Sequence, residues 1–132
     1  LGHPAGDALL KQVALRLAHL IGDKERVSRL GGDEFQVILP DVDDRGALGE
    51  LASEIIAKLS EPYSINESRC MIGVSVGIAI SPFDGDSSEE LVRNADLALY
   101  AAKGSGRGRF RFFSDELLRA AADRRALEED LV

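Results

Sequence analysis

Apolar residues recur along the chain in two distinct rhythms. From Gly6 onward, Leu9, Leu10, Val13, Leu17, Leu20 and Ile21 fall three and four apart, which predicts a helix with one core-facing side that ends near Gly22. Two short β-prone runs come next, over residues 26–30 and 34–39, separated by a Gly-Gly turn and closed by Pro40, and they read as a β-hairpin. The acidic stretch Asp41-Val42-Asp43-Asp44 can cap a second helix, in which Leu48, Leu51, Ile55, Ile56 and Leu59 keep the helical period until Pro62 stops it. After an extended piece over 63–65, a long strand is expected, with Ile72, Val74, Val76, Ile78 and Ile80 on one face and Gly73, Ser75, Gly77 and Ala79 on the other. The large face fills a core, and the small face lets another element approach the backbone closely.

Ser87-x-x-Glu90 is a capping-box pattern, and the helix it opens carries Leu91, Val92, Ala95, Ala98, Leu99 and Ala102 up to the break at Gly104-Ser105-Gly106. A last strand over 108–113 alternates Arg109 and Arg111 with Phe110 and Phe112, so the arginines read as a solvated face. Residues 114–132 are polar and rich in Ala, Leu and Arg, and read as a final helix with few large apolar positions. The order of helices and strands predicts an α+β layer fold with no internal repeat.

Composition narrows the class. The chain has 132 residues, of which 45% are hydrophobic and 30% charged, enough for one ordinary globular domain with a single core. The lone Cys70 lies in an apolar run and reads as a small buried hydrophobe, with no disulfide framework and a cytoplasmic location as the plain expectation. No stretch has the length of a membrane span, although a parent protein tethered outside this segment stays open. The net charge of −7 argues against a nucleic-acid partner, which needs a broad surplus of Lys and Arg. A small phosphorylated ligand fits better, because the stretch over 103–111 is locally basic.

The candidate chemistry sits at Gly31-Gly32-Asp33-Glu34. Glycines at a hairpin tip let a nucleotide lie against the backbone, and adjacent carboxylates can hold a magnesium ion bridging phosphate oxygens. The bland alternative is a solvated acidic turn with glycines serving a positive φ, and spacing alone leaves the two level.

Four ordered segments carry a resemblance. Arg29-Leu30-Gly31-Gly32-Asp33-Glu34-Phe35 resembles the signature of the GGDEF domain of diguanylate cyclases. The first ten residues, with Gly2-His3 and Gly6-Asp7, are similar to that family's helix-opening segment; residues 73–79 resemble its central strand; and residues 94–103 followed by Gly106-Arg107 resemble its phosphate-binding helix end. The resemblance implies a nucleotidyl-cyclase-like α+β fold, a ferredoxin-like palm whose central antiparallel sheet is flanked by helices. It also divides the chain into a GGDEF domain over 1–113, without its N-terminal strand and helix, and a connector helix over 114–132. A terminal helix that packs on its own domain is the alternative for that last segment.

The resemblance further implies that Asp33 binds Mg²⁺ (or Mn²⁺), and that Glu34 assists the metal or activates the attacking hydroxyl. Gly31 and Gly32 would pass close to ribose and α-phosphate. Asp7 would read guanine, since a carboxylate can accept from N1–H and N2–H₂ together; an N-cap role is its structural alternative. Lys103 and Arg107 would contact the β- and γ-phosphates, against a plain helix-end role favoured by the macrodipole. His3 receives no chemistry. The implied reaction condenses two GTP into cyclic di-GMP across a homodimer of such domains, with a sensor domain, a phosphodiesterase EAL domain, or both attached covalently. The alternative function is an inactive GTP-binding module that regulates an attached EAL domain.

Relatives of this kind carry a metal-binding Asp and a guanine-binding Asn just upstream of the position of Leu1. A fragment that truly began at Leu1 is therefore expected to have weak or absent cyclase activity and, lacking the sheet strand that carries those residues, either to fill the gap through another chain or to be marginally stable. Many members also carry an Arg-x-x-Asp product-inhibition site, where this chain has Gly22-Asp23-Lys24-Glu25. No feedback through that site is expected.

Overall fold

The computed structural model describes residues 3–31, 34–40, 42–106 and 108–119. The chain divides into two compact units, Leu1–Gly73 and Val74–Val132.

In the first unit, helix α1 spans His3–Ile21. It begins earlier than the apolar period suggests, and Pro4 stands in the first turn, where a missing N–H costs no helical hydrogen bond. Gly22, at φ 85°, ends it in the left-handed conformation that only glycine adopts cheaply. Val13 and Leu17 are buried. Strands β1 (Val27–Gly31) and β2 (Glu34–Val37) form the expected antiparallel hairpin. Helix α2 spans Arg45–Leu59, and Asp44 caps it by accepting from the Gly46 amide at 3.0 Å. Its buried residues Ala52, Ile55 and Leu59 follow the helical period.

The extended piece over 63–65 is half of a second hairpin, in which β3 (Tyr63–Ile65) pairs antiparallel with β4 (Ser68–Cys70). Asn66 and Glu67 link them at φ 50° and 70°, the two-residue turn whose twist matches the strands. A glutamate in left-handed backbone is strained, so Glu67→Gly is expected to raise stability by about 0.5–1 kcal/mol, measured as a higher urea midpoint at unchanged m-value. A fall in the midpoint would mean that the Glu67 side chain contributes more than its backbone costs.

One polar cluster holds this unit's helices and second hairpin together. From α1, the Arg16 guanidinium donates to the carbonyls of Glu61 at 2.7 Å and Pro62 at 2.6 Å, and more weakly to that of Lys58 in α2 at 3.3 Å. The same group lies 3.7 Å from the centre of the Tyr63 ring. Tyr63 is fully buried, and its hydroxyl donates to the Leu59 carbonyl at 2.7 Å. Burial pushes its pKa above the ordinary tyrosine value, and the nearby Arg16 charge partly opposes the shift.

In the second unit, β5 (Val76–Ile78) pairs with β6 (Phe110–Phe112), and α3 (Ser88–Gly104) is the connection between them. The pairing is parallel, as a helical crossover requires. The long strand expected over 72–80 is thus ordered as a ladder only over β5, extended by a bond from the Gly108 amide to the Val74 carbonyl at 3.0 Å. Apolar alternation sets which side chains share a face, whereas ladder length is set by the partner, and β6 has three residues. Among the described residues, strands therefore occur as three two-stranded sheets, two antiparallel and one parallel.

The small face of β5 does what its composition predicts. A Cβ at Gly77 would overlap the Ala95 carbonyl and the Leu99 backbone of α3. Ser87 caps α3 by accepting from the Glu90 amide at 3.2 Å, while Glu90 reaches back to the Asp86 amide at 3.0 Å, one residue beyond the usual capping-box partner. Asn94, buried on α3, donates to the Asp84 carbonyl at 2.6 Å, and the Asp84 carboxylate accepts from the Ile80 amide at 2.8 Å. These bonds pin the 80–86 loop to the helix. Residues 115–119 are helical, the described start of the expected terminal helix; 120–132 lie outside the described residues.

Candidate functional site

The first unit supplies a hairpin tip with an irregularity. The register runs Arg29 opposite Phe35 and then Gly31 opposite Glu34, so Leu30 is an extra residue on β1, and it is 49% exposed. A bulge of this kind bends the strand and re-aims the residues beyond it. Gly31 comes next at φ 151°, backbone that favours glycine, and a Cβ there would meet nothing within 4 Å. No other described residue fills the space beside Gly31, so the glycine is required by its backbone conformation and not by crowding from a described neighbour. Glu34 opens β2 directly across from it and is exposed, and its side chain makes no hydrogen bond or ion pair with another described residue. Gly32 and Asp33, the other two tip residues singled out from the sequence, lie outside the described residues.

Asp7 is exposed and is the fifth residue of α1. The N-cap alternative is thereby removed: α1 has no acidic residue in its first turn, and Asp7 is inside the helix, where its own amide already serves the helical ladder. Helix α1 packs against β1, so the helix bearing Asp7 and the strand bearing Gly31 are neighbours in one unit. Lys103 belongs to the other unit, exposed in the last turn of α3. Ser105 closes that helix by donating its amide to the Ala101 carbonyl at 3.0 Å, and Gly106 and Gly108 come after it at φ 114° and 81°. Arg107, between them, lies outside the described residues.

The stretch aligned with the product-inhibition motif is occupied by local structure. Asp23 caps the 3₁₀ turn Lys24–Arg26 by accepting from the Glu25 amide at 2.9 Å, and pairs with Arg26 at 3.5 Å. Its carboxylate is thus engaged within its own turn.

Among the described residues no group of three His, Cys, Asp or Glu side chains could hold a metal ion. The donor chemistry nonetheless fits magnesium. Glu34 offers a hard, solvent-facing carboxylate, and Mg²⁺ in nucleotide sites takes one or two carboxylates together with phosphate oxygens and waters. Sequence reasoning found the tip residues through Gly-Gly followed by two acids; it missed the bulge at Leu30, which no local composition signals. It also passed over the outward stripe of α1 formed by Asp7, Lys11, Leu15 and His19, whose signal is a bare four-residue repeat.

The family model described as diguanylate cyclase, GGDEF domain, matches residues 1–109. The chain is 44% identical to the signaling protein YkoW of Bacillus subtilis over 86% of its own length and 14% of that protein. It is 38% identical to the bifunctional diguanylate cyclase/cyclic di-GMP phosphodiesterase MucR of Pseudomonas aeruginosa, over 98% of this chain and 19% of that one. The chain therefore spans less than a fifth of either relative. Among solved structures, the isolated GGDEF domain of TpbB (YfiN) from Pseudomonas aeruginosa is similar, at 34% identity and a TM-score of 0.84, over 92% of this chain and 72% of that one.

Proposed function

The chain belongs to the GGDEF family of diguanylate cyclases, and from that premise we propose that it forms one half of a cyclase that condenses two GTP into cyclic di-GMP with release of two pyrophosphates. The observation that carries this reading is the bulge at Leu30, beyond which Gly31, with no other described residue filling the space beside it, stands opposite an exposed Glu34 whose carboxylate bonds to no other described residue. Each domain holds one GTP. The ribose 3′-hydroxyl of one nucleotide attacks the α-phosphate of the other, a P–O bond forms, and the bond to pyrophosphate breaks. The hydroxyl proton leaves through a carboxylate base, for which Glu34 is the candidate.

Gly31 and Gly32 let the ribose and α-phosphate approach the backbone. Asp7 accepts from guanine, while Lys103 and Arg107 neutralise the β- and γ-phosphates. Asp33 and Glu34 would hold magnesium, which would offset the charge developing on the phosphate oxygens. Because the attacking and attacked nucleotides sit on different domains, turnover needs two copies held face to face. Much of the acceleration then comes from positioning.

The test is to incubate the full protein with GTP and magnesium and monitor cyclic di-GMP by chromatography. A second reading, a GTP-binding module that regulates an attached phosphodiesterase, draws support from the bifunctional name of MucR and from the small share of such relatives that this chain spans. GTP binding without product would select it. In either case the engaged Asp23 and the missing motif arginine favour no product feedback at residues 22–25. Cyclic di-GMP at micromolar concentration is expected to show no binding in calorimetry that Asp23→Ala removes, and tight binding lost on Asp23→Ala would overturn this.

A further inference from the structure

We infer that Lys11 is a second guanine-reading residue, donating from Nζ to O6 of the base whose N1–H and N2–H₂ are accepted by Asp7; this rests on the proposed assignment of Asp7 to guanine. The stripe of α1 at Asp7, Lys11, Leu15 and His19 is exposed throughout, and Leu15 is 71% exposed even though it is apolar. The flank of the helix around Gln12 and Arg16 is fixed to its own unit, by the bond from Gln12 Nε2 to the Ser64 carbonyl at 3.0 Å and by the Arg16 contacts with Glu61, Pro62 and Tyr63. Residues nine apart on an α-helix lie on opposite sides, so the Arg16 clamp holds Asp7 facing outward, with Lys11 one turn further along the same stripe. Clamped in this way, the helix has no freedom to rotate the stripe inward.

Four residues apart, with the acid N-terminal to the base, Asp7 and Lys11 have the spacing of a stabilising helical ion pair. They form none, and neither pairs with another described residue. Both charges are therefore available to a ligand, about 6 Å apart along the helix axis. The Watson–Crick edge of guanine runs donor, donor, acceptor from N2 through N1 to O6. A carboxylate satisfies the two donors, and an ammonium, which has donors only, satisfies the acceptor. Adenine places an amino donor where guanine has O6 and an acceptor at N1, so it opposes both side chains. Lys11 thus contributes discrimination against adenine beyond what one carboxylate supplies.

The test is equilibrium binding of GTP, inosine triphosphate and 6-thio-GTP to the full protein, unchanged and with Lys11→Met, Lys11→Arg and Asp7→Asn. Lys11→Met is expected to weaken GTP and inosine triphosphate alike by about tenfold, to leave 6-thio-GTP nearly unaffected because its sulfur is a poor acceptor, and to be largely rescued by Lys11→Arg. Equal weakening of all three nucleotides would mean that Lys11 acts only as a general cation for triphosphate, and no weakening would remove it from the site; either result overturns the inference. Asp7→Asn separates the two levels. If it leaves the preference for GTP over inosine triphosphate unchanged, the guanine assignment of Asp7 itself fails; if it abolishes that preference while Lys11→Met does nothing, only the role of Lys11 fails.

Discussion

Replacing Glu34 by Gln is expected to lower cyclic di-GMP formation by the full protein by about 10²–10³-fold, a loss in the range found when one group that stabilises a transition state is removed. The Glu34 side chain is exposed and bonds to no other described residue, so the same change should leave the melting temperature within about 2 °C. Glutamine keeps the size of the side chain and removes its charge and basicity. A matched loss in Glu34→Ala would therefore assign the effect to the carboxylate and not to packing. Initial rates of product formation at saturating GTP, read beside a thermal melt, decide the matter. Undiminished product formation by Glu34→Gln would remove this residue from the chemistry and shift the burden to Asp33.

Gly77→Ala is expected to be the most damaging single-methyl change for the fold. Its Cβ would overlap backbone atoms of α3 at Ala95 and Leu99, and backbone has no rotamer by which to yield. Helix and strand must separate, at a cost of about 3 kcal/mol, the upper part of the usual range for overpacking. The corresponding fall in melting temperature is roughly 10 °C. Gly6→Ala in α1 is the contrast: nothing lies within 4 Å of its added methyl, and alanine is the better helix former, so stability should rise by about 0.5–1 kcal/mol. Paired melts of the two variants test the close approach directly, and a Gly77→Ala protein that melts within about 2 °C of the unchanged one would refute it.

Periodicity predicted α2 and α3 with their caps at Asp44 and Ser87, because a helix is built from contacts within a few residues and its start is written in one polar side chain. The hairpin around Gly31 was legible for the same reason, as was the small face of β5, since a run of Gly, Ser, Gly and Ala has few uses other than close packing. The hairpin at Asn66-Glu67 was not, because glutamate is an unusual residue in left-handed backbone and hides the turn. The Arg16 clamp was not either: its hydrogen-bond partners lie 42 to 46 residues away, and nothing near Arg16 marks it as other than a surface cation.

The site divides along the same line. Residue chemistry named Asp7, Gly31, Glu34 and Lys103 from local sequence, because carboxylates, cations and glycines are individually suited to a nucleotide. Only the folded chain removed the N-cap explanation for Asp7, set Glu34 opposite Gly31 across a bulge, and turned Lys11 outward beside Asp7. The family, the helices with their caps, and the kinds of groups at the site were legible in the order of residues, because all of them rest on short-range rules or on the identity of single side chains. Tertiary structure alone decided strand lengths, the bulged register, the parallel pairing of β5 with β6 and the Arg16 clamp on α1. Each of these depends on a partner distant in sequence, and a through-space partner leaves no mark in the local pattern.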